Sequence, residues 1–122
     1  MLVQAAIAEA LLAEGVAAAR PVFGVMGDGN MGVWAELVAR AGTPAVMRSA
    51  WHEASAIGMA EGFARSAGGL GIATVTCGPG LTHVATALVA AVRGRVPLLV
   101  LAGELEAGTR GTAQHIDQRR FV

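Results

Sequence analysis

Glu53 is the residue whose setting most suggests chemistry. From it, Ala56, Ala60, Phe63 and Ala67 recur at steps of three and four, so on a helix the carboxylate continues the line of the apolar stripe. Glu61 and Arg65, by contrast, make an ordinary i,i+4 ion pair. A carboxylate placed like Glu53 is either a first-turn acid stabilised by the helix dipole or a partly buried acid that shares a proton with a ligand. The dipole lowers its pKa and burial raises it. Gly27-Asp28-Gly29 has two readings as well: a tight turn, or half of a phosphate or magnesium site in which glycines let backbone N–H groups approach an anion. It is not a full Gly-x-Gly-x-x-Gly fingerprint, because Gly32 is out of register. It is not a Walker loop either, since the sequence has no lysine. Cys77 lies in the Cys77-Gly78-Pro79-Gly80 turn, where a helix start stabilises a thiolate or a small buried residue simply fills space. His52, His83 and His115 are far apart in sequence, each without a second ligand at helical reach, so no metal is expected to bind through this chain alone. No Ser/His/Asp order or nucleophile elbow is present.

These residues need elements to position them. Val3, Ile7, Ala10 and Leu11 recur with helical spacing, and Gly15 stands where a left-handed cap is useful. Pro21 to Val25 is a short apolar, β-branched run closed by the glycine turn, which predicts a buried strand. A second helix is predicted from Asn30, a candidate cap, with Trp34, Leu37, Val38 and Ala41 on one face and Gly42 at its end. A strand at about Pro44 to Met47 follows, then a helix from about Trp51 to Ala67 stopped by Gly68 and Gly69, and a strand at Gly71 to Thr76. The Cys77 to Gly80 turn leads into a further helix with Leu81, Val84, Ala85, Leu88, Ala91 and Val92 as its stripe. Pro97 to Leu101 is the last apolar strand. Strands that read as unbroken apolar runs between helices mark a parallel sheet covered on both faces. The fold class is therefore α/β, doubly wound, with a mainly parallel sheet. Ligands of such sheets bind beyond the carboxyl ends of the strands, at Met26 to Asn30, Ser49 to Glu53, Thr76 to Thr82 and Ala102 to Gln114. Beyond Gly103 the chain turns polar, and the sheet is expected to be incomplete at the C-terminus.

Composition narrows the class further. The 122 residues are 54% hydrophobic and 15% charged, and nine acidic residues balance nine basic ones, which suits one compact core. All the basic residues are arginines spread along the chain, so no cationic face for nucleic acid is expected. Residues 66–92 carry no Lys, Arg, Asp or Glu, but Gly68, Gly69, Gly71 and the Gly78-Pro79-Gly80 turn break the stretch, and no membrane span is expected. The lone Cys77 excludes an internal disulfide and suits a reducing, cytoplasmic compartment, and no secretory signal pattern is visible.

Taken together, the segments resemble the N-terminal pyrimidine-binding domain of thiamine-diphosphate-dependent enzymes, in particular the acetolactate synthase-like decarboxylases and carboligases of 2-keto acids. Val22-Phe23-Gly24-Val25-Met26-Gly27 is similar to that family's first strand and turn. Arg48 to Arg65, RSAWHEASAIGMAEGFAR, is similar to its catalytic-glutamate helix, and Val75 to Leu88, VTCGPGLTHVATAL, to its Gly-Pro-Gly turn and helix. Val96 to Glu104 and the Gln114 to Gln118 stretch follow in the same order. The resemblance covers nearly all of residues 1–122. It implies that Glu53 hydrogen-bonds N1′ of the aminopyrimidine and promotes the imino tautomer that takes the proton from thiazolium C2. It also implies that Met26, Gly27, Thr76, Pro79 and His83 line the pyrimidine side and that Gln114 faces the substrate region.

The cofactors so implied are thiamine diphosphate and Mg2+, the latter bound through a domain not in this chain, and a flavin, FAD, is compatible with the group. The partners implied are a small 2-keto acid and further subunits of a homodimer or homotetramer with the active site between them. The central and diphosphate-binding domains are expected elsewhere, on a longer chain in preference to a separate subunit. Met26 stands where proline is usual in that family, Cys77 where serine is, and His83 where asparagine is common. Ala113 and His115 replace the usual phenylalanine and glutamate around the glutamine. Two other readings of the same residues are a non-catalytic α/β module for oligomerisation or regulation, in which Glu53 only stabilises its helix, and a nucleotide-binding domain using Gly27 to Gly29.

Overall fold

The computed structural model describes residues 2–122. Its elements run α1 (Val3–Ala13), β1 (Val22–Gly24), α2 (Met31–Ala41), β2 (Met47–Ser49), α3 (Glu53–Ala67), β3 (Gly71–Val75), α4 (Pro79–Thr82), α5 (Ala85–Arg93) and β4 (Leu98–Ala102). Short 3-10 turns occupy Pro44–Val46 and Gln118–Arg120. The strands lie in the order β2-β1-β3-β4, and each neighbouring pair is parallel. Parallel neighbours need crossover connections, and helices supply them.

Side chains alternate across the strands and divide the core in two. Val22 and Ile72 face α1 and α2, where they join Ala8, Leu11, Trp34, Leu37, Val46 and Met47. Phe23, Ala73 and Val75 face the other way and pack with Ala56, Ile57, Ala60, Leu81 and Val84. A sheet covered on both faces is the doubly wound arrangement expected. Ile57 is fully buried in the second core. Ile57→Val removes one methylene there and is expected to lower the unfolding free energy by about 1 kcal/mol, as read by chemical denaturation.

Gly42 and Gly68 end α2 and α3 in the left-handed conformation, as their positions predicted. Several local expectations are corrected. In α1 the buried face is Ala5, Ala8 and Leu11, whereas Val3 and Ala10 are exposed; apolar residues surround this helix, so spacing alone does not select the face. The second strand begins at Met47, because Pro44 starts a 3-10 turn in which Thr43 Oγ1 accepts from the Ala45 N–H at 3.2 Å. Helix α3 begins at Glu53, two residues later than Trp51, and Ile57 and Ala64 carry its buried stripe where Ala67 does not. The helix predicted after Gly80 is two helices. The Val84 N–H bonds the Leu81 carbonyl three residues back, a 3-10 bond that interrupts the helix before α5. Of the expected stripe, Leu81, Val84 and Ala91 are buried, Ala85 and Leu88 are half-buried, and Val92 is exposed. Among the described residues no helix is long and apolar enough to cross a membrane.

Candidate active site

The turn after β1 is held from within. Asn30 is buried; its Oδ1 accepts from the Gly27 N–H at 2.8 Å, and its Nδ2 donates to the Val25 carbonyl at 3.0 Å and Thr74 Oγ1 at 3.2 Å. It therefore stands at the N-cap position of α2 without capping it. The Gly29 N–H donates to Thr76 Oγ1 at 3.1 Å. With those two amides committed, Gly27-Asp28-Gly29 is a packed turn and not a cradle for phosphate. Gly27 lies so close to Thr76 that an added Cβ would fall 2.7 Å from the Thr76 Cβ. Thr76 thus joins the β1 turn to the turn after β3.

Glu53 is the first residue of α3. The preceding His52 caps the helix, its Nδ1 accepting from the Ala54 N–H at 3.1 Å, so this geometry assigns its proton to Nε2 in the neutral ring. The Glu53 side chain retains only 13% of its exposure, and its Oε2 lies 3.0 Å from His83 Nδ1. The His52 and His83 rings stack with centroids 5.1 Å apart and planes 21° from parallel. On the other side of the carboxylate is Gly80, where an added Cβ would stand 3.7 Å from Glu53 Oε1 and 2.6 Å from Thr76 Cγ2. Glycine therefore places no methyl group against Oε1.

Desolvation of the carboxylate raises its pKa. The His83 hydrogen bond, the Glu53 amide at the helix start and the charges of His83 and His52 lower it, and together they prevail, holding the group below its ordinary value of 4.5. A depressed carboxylate stabilises the fold above its ordinary pKa, and that contribution is lost as pH falls through the depressed value.

The segment after β4 folds back over this end of the sheet. Gln114 Oε1 accepts from Cys77 Sγ at 3.5 Å, and Cys77 is a buried free thiol. Gln118, which spacing did not single out, accepts from the Gly78 N–H through Oε1 and donates to the Gly103 carbonyl at 2.9 Å through Nε2. Its only sequence signal is its position four residues after Gln114. Thr76 is thus flanked by Gly27 and Gly80, Gly80 borders Glu53, Glu53 holds His83, and Gln114 reaches the adjoining Cys77. Pro79 is exposed at the first position of α4. Met26 is exposed and lines an apolar groove with Met31, Trp34, Val38 and Pro44 along α2, a groove that Glu53 does not line. A further cleft of about 650 Å³ lies among Gln4, Asp28, Asn30, Thr74 and Glu104 and does not include Glu53.

His52, Glu53 and His83 bring ligand-type atoms within 4.8 Å of one another, a meeting the separation of the histidines in sequence did not anticipate. The Nδ1 atoms of both histidines are already hydrogen-bonded and their rings are stacked, so the three side chains form a hydrogen-bonded cluster. A carboxylate with one oxygen tethered to an imidazole, the other beside a glycine, and little water around it can trade a proton with a heteroaromatic nitrogen.

Residues 1–121 match the family described as thiamine pyrophosphate enzyme, N-terminal TPP binding domain. The chain belongs to this family. It is 32% identical over 105 residues to the acetolactate synthase isozyme 3 large subunit of Escherichia coli (strain K12), a match covering 86% of this chain and 17% of that protein. It is 46% identical over 70 residues to 2-hydroxyacyl-CoA lyase 2 of Xenopus laevis, covering 55% of this chain and 11% of the lyase. The X-ray structure of a putative thiamin diphosphate-dependent enzyme from Mycobacterium smegmatis superposes with a TM-score of 0.69 at 25% identity, over 88% of this chain and 20% of that one. The chain of this TPP-enzyme domain thus spans about a sixth of the length of the E. coli relative.

Proposed function

We propose that this domain supplies the pyrimidine side of a thiamine diphosphate site in an acetolactate synthase-like decarboxylase or carboligase acting on a 2-keto acid, with Glu53 as its catalytic residue. The observation that carries the reading is the setting of Glu53: a largely shielded carboxylate at a helix N-terminus, with Oε2 held by His83 and Oε1 next to Gly80, which sets no side chain against it. That arrangement fits an aminopyrimidine, which offers a ring nitrogen able to share a proton with Oε1. When bound, thiamine diphosphate supplies an acidic thiazolium carbon and a ring that accepts the electron pair released on decarboxylation.

The chain's own part is to bind and to hold a proton. Glu53 Oε1 carries the exchanged proton, and exclusion of water strengthens the charge-assisted contact. Met26, Gly27, Thr76, Pro79 and His83 are assigned to the pyrimidine side and Gln114 to the substrate region. Because the Gly27 amide is spent on Asn30 and the Gly29 amide on Thr76, the diphosphate and its Mg2+ are assigned to a domain outside this chain. The working assembly is then a homodimer or homotetramer whose site lies between subunits.

The test is calorimetry of the full-length protein with thiamine diphosphate and Mg2+, followed by assay of a panel of 2-keto acids for CO2 release and carboligation. Binding and turnover are expected. Failure to bind would make the domain a non-catalytic module, and binding with cleavage of a 2-hydroxyacyl-CoA alone would replace the 2-keto acid assignment.

A further inference from the structure

We propose that His83 is a positioning residue for Glu53: its Nδ1, 3.0 Å from Oε2, ties one carboxylate oxygen in place so that Oε1, on the Gly80 side, is the one presented to the cofactor. This rests on the proposed thiamine diphosphate role of Glu53 and adds to it a dyad that sets the acid's direction and proton affinity.

The imidazole is itself restrained. The His52 ring lies nearly parallel to it at 5.1 Å, and His52 is fixed in turn by the Ala54 N–H at the start of α3. The chain of restraint therefore runs from the helix cap through two stacked rings to the carboxylate. His83 reaches Glu53 across 30 residues of sequence from the C-cap position of α4, where its own N–H still bonds the Pro79 carbonyl at 3.0 Å.

The dyad also bridges two environments. Glu53 retains 13% of its side-chain exposure and His83 51%, so the imidazole connects a shielded carboxylate to the wet side of the domain. The titratable groups acting on Glu53 are His83 from α4 and His52 from the segment before α3, joined by the amide at the α3 N-terminus. If His83 is removed, the largest influence lowering the Glu53 pKa goes with it, and desolvation is opposed only by His52 and the amide. The carboxyl then holds its proton to higher pH. Asparagine at 83 can still donate a neutral hydrogen bond to Oε2, but it carries no titrating charge.

The experiment compares wild type, His83→Ala and His83→Asn in the full-length protein. The first readout is infrared titration of the Glu53 carboxyl in the cofactor-free protein, isolated by subtracting Glu53→Gln. The second is the pH profile of deuterium exchange at thiamine C2. His83→Ala is expected to move Glu53 protonation to higher pH and to slow exchange roughly tenfold to a hundredfold, as misdirection of a catalytic group does. His83→Asn is expected to recover most of the exchange rate at its plateau while its Glu53 titration stays above that of wild type. A Glu53 titration unmoved in both variants overturns the proposal, as does equal loss of exchange in Ala and Asn. Failure of the broader reading shows separately, as absence of cofactor binding in wild type. Should His83→Ala not fold, the Asn variant still decides through its titration.

Discussion

Glu53→Gln in the full-length protein is expected to slow deuterium exchange at C2 of bound thiamine diphosphate by about 10²- to 10⁴-fold, the range that a positioned acid–base group contributes. The substitution keeps the shape of the side chain and leaves an amide oxygen that can still accept from His83 Nδ1. It removes the ability to give and take a proton at the oxygen beside Gly80. The fold should change little, and the sign of the small change can be stated. Wild-type Glu53 titrates below its ordinary value of 4.5, so the ionised form stabilises the folded chain above that pH. The glutamine variant is therefore slightly less stable at neutral pH, and the difference closes as pH falls through the depressed pKa of Glu53. Proton NMR of the C2 position after timed quenching reads the exchange, and denaturation at two pH values reads the stability. Unchanged exchange would remove Glu53 from the chemistry. Glu53→Asp, one methylene shorter, keeps the proton but withdraws it from its place, and an intermediate rate is expected.

What the sequence made legible follows from where the physics is local. Apolar runs such as Gly71 to Val75, bounded by glycines, specify buried strands because period, length and punctuation agree, and four of them between helices leave few folds other than a doubly wound parallel sheet. Glu53 stood out because a charge on an apolar helical stripe contradicts the pattern around it. The contacts of that charge were another matter. His83 meets Glu53 because α4 packs near the start of α3, 30 residues away in sequence, and local spacing does not register that approach. Asn30 was predicted as a cap from its residue type, yet it turns back to bond Gly27, Val25 and Thr74; one of these partners lies on a strand 44 residues away, which local spacing cannot register. The same holds for Gln118, whose partners Gly78 and Gly103 belong to two different loops. Elements were readable from propensity and periodicity, and the hydrogen bonds that make a site of them depend on tertiary approach.

Gly78→Ala is expected to be the most damaging single-methyl addition near the site, lowering stability by roughly 3 kcal/mol or more. Two independent causes add. Gly78 sits at φ +60° and ψ −114°, a region that residues with a Cβ rarely adopt. The added carbon would also collide with the Gln114 carbonyl oxygen and stand 2.8 Å from its carbonyl carbon and 3.0 Å from its Cα. Backbone atoms cannot rotate away as a side chain can, so the Gln114 to Gln118 segment must lift. Lifting it breaks the bond from the Gly78 N–H to Gln118 and the contact between Cys77 and Gln114. The comparison that separates strain from lost contact is Gln118→Ala, which removes the hydrogen bonds without adding a Cβ at Gly78 and should cost about 1–3 kcal/mol. Hydrogen exchange followed by mass spectrometry should show protection lost across residues 112–118 in both variants, whereas only Gly78→Ala should also loosen the Thr76 to Gly80 turn and reduce C2 exchange. Wild-type stability in Gly78→Ala would mean that this turn tolerates a different backbone path. The three residues of the turn would then no longer have the separate duties the geometry gives them: Gly78 to accept the backbone reversal, Pro79 to start the short helix, and Gly80 to set no side chain against Glu53.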